Sequence, residues 1–105
     1  MNAFKNITVA ELQSLMAQKS INLVDVRSEA EIMQGFIQGA QKLPLHLIPL
    51  HLNEFDSASP TVFYCRVGAR SAQAATLAAA KGFLETYNLL GGIMAWEQEG
   101  LPLVK

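Results

Sequence analysis

Cysteine is nearly missing from this chain: of 105 residues, only Cys65 carries a thiol. A disulfide within the chain is excluded, and with it the disulfide-stapled class of small secreted domains. An excess of one charge is missing too. Eight Lys and Arg against nine Asp and Glu leave a formal net charge of −1, so no broad basic field exists to draw in nucleic acid or an anionic membrane surface. An anion bound by this protein must be held locally. No apolar run approaches the roughly 20 residues of a membrane-spanning helix. The opening MNAFKNITVAELQ has neither the charged start nor the unbroken apolar stretch of a secretory signal. The expectation is a cytoplasmic protein, monomeric, with no nucleic-acid and no membrane partner.

What is present is apolar surface in short, punctuated pieces. Half of the residues are hydrophobic, enough for one compact domain over residues 1–105 and too little for a second. TVAELQSLMAQ opens with Thr8 and has Glu11 three places on, a capping box ahead of Val9, Leu12, Leu15 and Met16 at helical spacing. A short strand near Ile7 precedes it. INLVDV (21–26) is apolar and β-branched and runs into a second capping box, Ser28 with Glu31. AQKLPL predicts a short strand, LHLIPLHLNEF a short helix with Pro49 in its first turn, and SASP a turn. TVFYC is the most strand-like stretch; after the loop RVGAR comes the alanine-rich helix SAQAATLAAAKG, closed by Gly82. A last strand near TYNLL leads through Gly91 and Gly92 into a helix carrying Trp96. Strands alternating with helices predict an α/β fold, a mainly parallel sheet covered by helices on both faces.

Ligands of such sheets bind at the carboxyl ends of the strands, and Cys65 ends the strongest strand. A thiol with pKa near 8.5 is only about 3% ionised at pH 7. Help is expected from the N–H groups at the start of the next helix, from loop amides, and from Arg66 and Arg70, with Gly68 letting the loop curl. A depression of about two pH units, worth roughly 2.7 kcal/mol, would ionise most of the thiol. Two of the three arginines of the chain lie in this loop. Such neighbours are wrong for a core cysteine and predict a reactive one in an electropositive, partly exposed place.

These residues resemble the single-domain rhodanese, or sulfurtransferase, family. LVDVRSEAE is similar to the family's first signature, GFIQGAQKLPL to the segment after it, CRVGARS to its active-site loop and YNLLGGIMAWEQEGLPL to its closing signature. The chain departs at Phe36, where histidine is frequent, and at Gln38, where proline is common. The resemblance implies a rhodanese-like sheet of about five strands. It implies a sulfurtransferase in which Cys65 accepts a sulfane sulfur as a persulfide from thiosulfate, a polysulfide or a persulfide. Arg66, Val67, Gly68, Ala69 and Arg70 would line the site with their backbone amides. The acceptor would be cyanide, glutathione or a protein thiol such as a thioredoxin or sulfur carrier. No cofactor or metal is implied.

Two other classes stay open: a cysteine phosphatase or arsenate reductase on the same fold, and a non-catalytic interaction domain. Phosphatases use a longer loop to surround a tetrahedral phosphate; here only four residues, Arg66 to Ala69, separate Cys65 from Arg70. A phosphatase also needs an acid for its leaving group, and Asp25 reads as a backbone partner while Asp56 lies in a turn. The interaction domain is disfavoured by the intact cysteine. Arg27 and Glu31, four apart, predict an ion pair. His46 and His51, five apart, would not share a helix face and complete no metal set. Trp96 reads as core, and Gly91 with Gly92 as a turn and helix start.

Overall fold

In a computed structural model, which describes residues 4–105, the alternation seen in the sequence becomes five parallel strands. They are β1 (Lys5–Ile7), β2 (Asn22–Asp25), β3 (Gln41–Lys42), β4 (Thr61–Tyr64) and β5 (Thr86–Leu89), in the order β1-β5-β4-β2-β3. Between them run helices α1 (Val9–Gln18), α2 (Glu29–Met33), α3 (Ile48–His51), α4 (Ala69–Ala80) and α5 (Gly92–Gln98). Both capping boxes form: the Thr8 and Ser28 side chains accept from the N–H groups of Glu11 and Glu31, whose carboxylates accept in return from the cap N–H groups.

The sheet has a core on each face because successive side chains of a strand point to opposite sides. Val62 and Tyr64 face a cluster with Leu12 of α1 and Ile93 and Trp96 of α5. Phe63 and Cys65 face the other, with Ile48 of α3 and Ala74, Ala75 and Ala78 of α4. Those alanines are fully buried; with no long side chain to accommodate, α4 lies close against the sheet. Trp96 is core, as expected, and its indole N–H donates to the Pro102 carbonyl at 3.0 Å.

The segment predicted as one short helix is composite, a 3₁₀ turn at Leu45–Leu47, then α3, then a 3₁₀ turn at Leu52–Glu54. Pro49 sits in the first turn of α3, where its missing N–H has no helical partner to lose. Phe36 exchanges backbone hydrogen bonds with Val104 in an antiparallel bridge, and the Lys42 ammonium lies 4.1 Å from the centre of its ring. Gln38 is exposed.

Two boundaries differ from expectation, both around Cys65. Strand β4 ends at Tyr64 rather than at the cysteine, because the Cys65 carbonyl turns away from the sheet to accept from the Ile93 N–H of α5 at 2.9 Å. Helix α4 starts at Ala69, so Arg70 belongs to its first turn and not to the loop.

Candidate active site

The loop Cys65–Gly68 joins β4 to α4 at the carboxyl edge of the sheet. Gly68 is the N-cap residue of α4 at φ +124, with no side-chain cap. Glycine reaches this left-handed region without penalty, and lacking a side chain it leaves the first N–H groups of the helix unclaimed. They are aimed at sulfur: the Gly68 N–H donates to Cys65 Sγ at 3.1 Å and the Ser71 N–H at 3.4 Å. The Ser71 hydroxyl lies 3.3 Å from Sγ and donates in turn to Asn88 Oδ1 of β5 at 2.5 Å.

Burial works to push the Cys65 thiol up, but the Ser71 hydroxyl, which can turn its hydrogen to a thiolate, and the N–H groups of Ser71, Gly68 and Arg70 outweigh it. The thiol titrates below its ordinary value. The sulfur is thus prepared by backbone dipoles and one hydroxyl.

The loop is braced from behind. A Cβ on Gly92 would fall 2.4 Å from the Arg66 carbonyl oxygen and 2.5 Å from that of Cys65. Without one, the start of α5 closes on the loop, with the Ile93 and Met94 N–H groups on the Cys65 and Arg66 carbonyls at 2.9 and 3.2 Å. Gly91 and Gly92 make a turn and a helix start, as expected, and they also dock the loop.

Three expectations about charge and exposure are corrected. First, Cys65 is only 1% exposed instead of partly exposed, since its side chain shares the sheet face covered by α4. Second, the Arg27 and Glu31 side chains form no ion pair; the guanidinium reaches Glu31 only at its backbone carbonyl, at 3.4 Å. Arg27 precedes the N-cap Ser28 and so lies off the helix face; its guanidinium instead grips the fully buried Asp25 carboxylate at 2.7 Å and donates to the Gly35 carbonyl. Asp25 also accepts from the Arg27 N–H, the backbone role expected of it. Third, Arg70 does not stand free for an anion. Its guanidinium donates twice to Glu31, at 2.7 and 3.0 Å, and this pairing, helped by Ser28, holds the Glu31 carboxyl at about 2 against the burial that opposes it.

Of the other predicted site residues, Arg66, Val67 and Ala69 are exposed along the rim. A cleft of ≈ 640 Å³ opens beside Arg70, between the β2–α2 turn at Val26 and Ser28 and the segment Pro44–Leu47. Asp56 lies in its turn, accepting from the Ala58 N–H. His51 is tied to Glu54 at 2.7 Å.

The fold around this cysteine is shared with known proteins. The Rhodanese-like domain model matches residues 8–99. The chain is 46% identical over 92 residues to a sulfurtransferase of Allochromatium vinosum, covering 88% of this chain and 86% of that protein. It is 32% identical over 98 residues to the thiosulfate sulfurtransferase GlpE of Shewanella oneidensis, covering 93% and 97%. The crystal structure of a rhodanese-like domain protein from Staphylococcus aureus superposes with a TM-score of 0.85 at 34% identity, covering 97% and 100%. This chain belongs to the rhodanese-like sulfurtransferase family. No helix among its described residues is long and apolar enough to cross a membrane.

Proposed function

We propose that this chain moves sulfane sulfur through a persulfide on Cys65, with thiosulfate, a polysulfide or a persulfide as donor. The observation that carries the reading is the sulfur cradle itself. It offers N–H donors at 3.1 and 3.4 Å from Sγ, directed where negative charge sits before the first step and again once the Cys65 thiolate is restored. In the first step the thiolate attacks the outer sulfur of thiosulfate. The new S–S bond forms as the old one breaks, and sulfite departs with the electron pair, leaving the negative charge on the outer sulfur of the persulfide. In the second step a nucleophile takes that outer sulfur and the Cys65 thiolate is restored. Cyanide would give thiocyanate, and a thiolate would give a new persulfide.

With Cys65 as the only thiol, the chain cannot resolve its persulfide by forming an internal disulfide, so the acceptor comes from outside. In a cytoplasmic setting that acceptor is glutathione or a protein thiol, arriving by the cleft beside Arg70. Arg66, exposed on the rim, attracts the anionic donor; Arg70 contributes its N–H and shapes the wall.

Intact mass tests this. Thiosulfate treatment should add one sulfur, removable by a thiol reductant, and thiosulfate with cyanide should yield thiocyanate. Cys65→Ser should do neither while staying folded, and an aryl phosphate should remain intact. Thiocyanate formation by the serine variant, or efficient Cys65-dependent release of phosphate, would sink the proposal.

A further inference from the structure

Ser71 has one hydroxyl hydrogen and two neighbours that can accept it. Asn88 Oδ1 lies 2.5 Å from the hydroxyl oxygen and Cys65 Sγ lies 3.3 Å from it. An amide oxygen only accepts, so the short contact places the hydrogen on the Asn88 side, and the thiol then donates its S–H to Ser71. The line continues outward, for the Asn88 amide donates to Asn6 Oδ1 of β1 at 3.2 Å. Cys65, Ser71 and Asn88 are 1%, 0% and 6% exposed, so water does not readily substitute for a missing partner.

Ionisation upsets this arrangement. A thiolate has no hydrogen to donate, and with the Ser71 hydroxyl still turned to Asn88 it faces an oxygen lone pair. Rotation of the hydroxyl toward Sγ relieves that contact but strips the buried Asn88 oxygen of a donor, which is unfavourable. We infer that Asn88 is a positioning residue for the nucleophile: it holds the Ser71 hydroxyl in a resting arrangement that favours the thiol and releases it to the sulfur when Cys65 ionises. The inference rests on the reading of Cys65 as a thiolate nucleophile and adds the residue that sets how readily it forms. The charged and titratable groups nearest the loop are Arg66 on it, Arg70 from α4 with Glu31 bound to it from α2, Asp25 with Arg27 at the end of β2, and His46 across the cleft beside Arg70. All are retained in the variants below.

The test is the pH dependence of Cys65 alkylation by iodoacetamide, which reports one site because the chain has one cysteine. Asn88→Leu should lower the midpoint by about 0.5 to 1 pH unit, the range expected for one competing hydrogen bond. Ser71→Ala should raise it. In the Ser71→Ala background, Asn88→Leu should have no further effect. An unchanged or raised midpoint in Asn88→Leu, or a lowered one that persists without the Ser71 hydroxyl, would overturn the inference. Should the leucine variant not fold, Asn88→Asp keeps the acceptor oxygen and strengthens it. Its midpoint should rise more with Ser71 present than with Ser71→Ala, and an equal rise in both would overturn the inference. Alkylation needs no sulfur transfer, so failure here leaves thiocyanate formation standing, whereas activity of Cys65→Ser removes the persulfide reading without touching the relay.

Discussion

Two strand-to-helix turns lie side by side at the carboxyl edge of the sheet, one after β2 and one after β4, and they treat the same physical problem in opposite ways. Asp25 and Tyr64 stand opposite each other in register, so the turns begin level. The first is closed by side chains: Ser28 and Glu31 satisfy each other's N–H groups, and Arg27 is locked onto Asp25. The second has glycine at the cap and no side-chain hydrogen bond there. Unsatisfied amides at a helix start are a liability in the first turn and are removed; in the second they are kept for sulfur. The link between the two is Glu31, which caps α2 and grips Arg70 of α4. A structural turn thus braces a chemical one.

The sharpest way to break this arrangement is to push the second turn off its support. Gly92→Ala places a Cβ against two backbone carbonyls at a positive φ of +58. The expected loss of about 3 kcal/mol combines left-handed strain with overpacking, and denaturant unfolding should show it together with loss of turnover. Gly68→Ser comes next. It gives α4 the side-chain cap that α2 has, at a φ that L-residues rarely adopt, and its hydroxyl competes for the amides that serve Cys65. A stability loss of about 1 to 3 kcal/mol is expected, with the alkylation midpoint of Cys65 moved upward. A midpoint that stays put would show that the cap amides do not set the thiolate.

Ser28→Ala tests the first turn by the opposite logic. Its unfolding free energy should fall by about 1 kcal/mol, with sulfur-transfer kinetics little changed.

Glu31→Gln sharpens the role of the brace by pH, since glutamine can still close the capping box. The Glu31 carboxyl is held at about 2, below its ordinary 4.5. Its stabilising contribution is therefore fully present above about pH 4.5 and is lost as the pH falls toward about 2. Stability curves of the native chain and the glutamine variant should differ at neutral pH and converge across that acid range. Smallest of all is Arg66→Ala, which should raise the Michaelis constant for thiosulfate by less than about tenfold, an effect that shrinks with added salt because the side chain is exposed.

The sequence reveals the first turn better than the second, for the same reason that the turns differ. Ser28 and Glu31 are side chains with a known spacing, so α2 is announced by residue type. The cap of α4 is a backbone device, and the glycine that makes it signals only a bend, which is why the helix starts two residues before Ser71. The strand boundary at Tyr64 depends on α5, distant in the chain and invisible to local pattern. The Arg27–Glu31 spacing misleads because the i, i+4 rule presupposes that both residues are helical, and Arg27 is not. Cys65 and its loop are legible from the clash between an apolar strand and the polar residues after it. Asn88 carries a fainter signal of the same kind, an amide in the middle of TYNLL, where a buried strand favours apolar residues. The alternation of strands and helices needs no distant contact to be seen, and the fold follows from it.

The shortness of the outer strands bears on how the protein behaves in a crowded solution. The sheet is bordered by β1, of three residues with Lys5 and Asn6 exposed, and by β3, of two exposed residues, Gln41 and Lys42. A free sheet border is where a passing chain can add a strand of its own, and long, flat, apolar borders seed aggregates. Here the more buried strands β2, β4 and β5, of four residues each, occupy the middle, each flanked on both sides, and a lysine stands on each border strand. The hydrogen-bonding template most prone to recruit other chains is enclosed, and what faces outward is too brief and too charged to extend into a fibril.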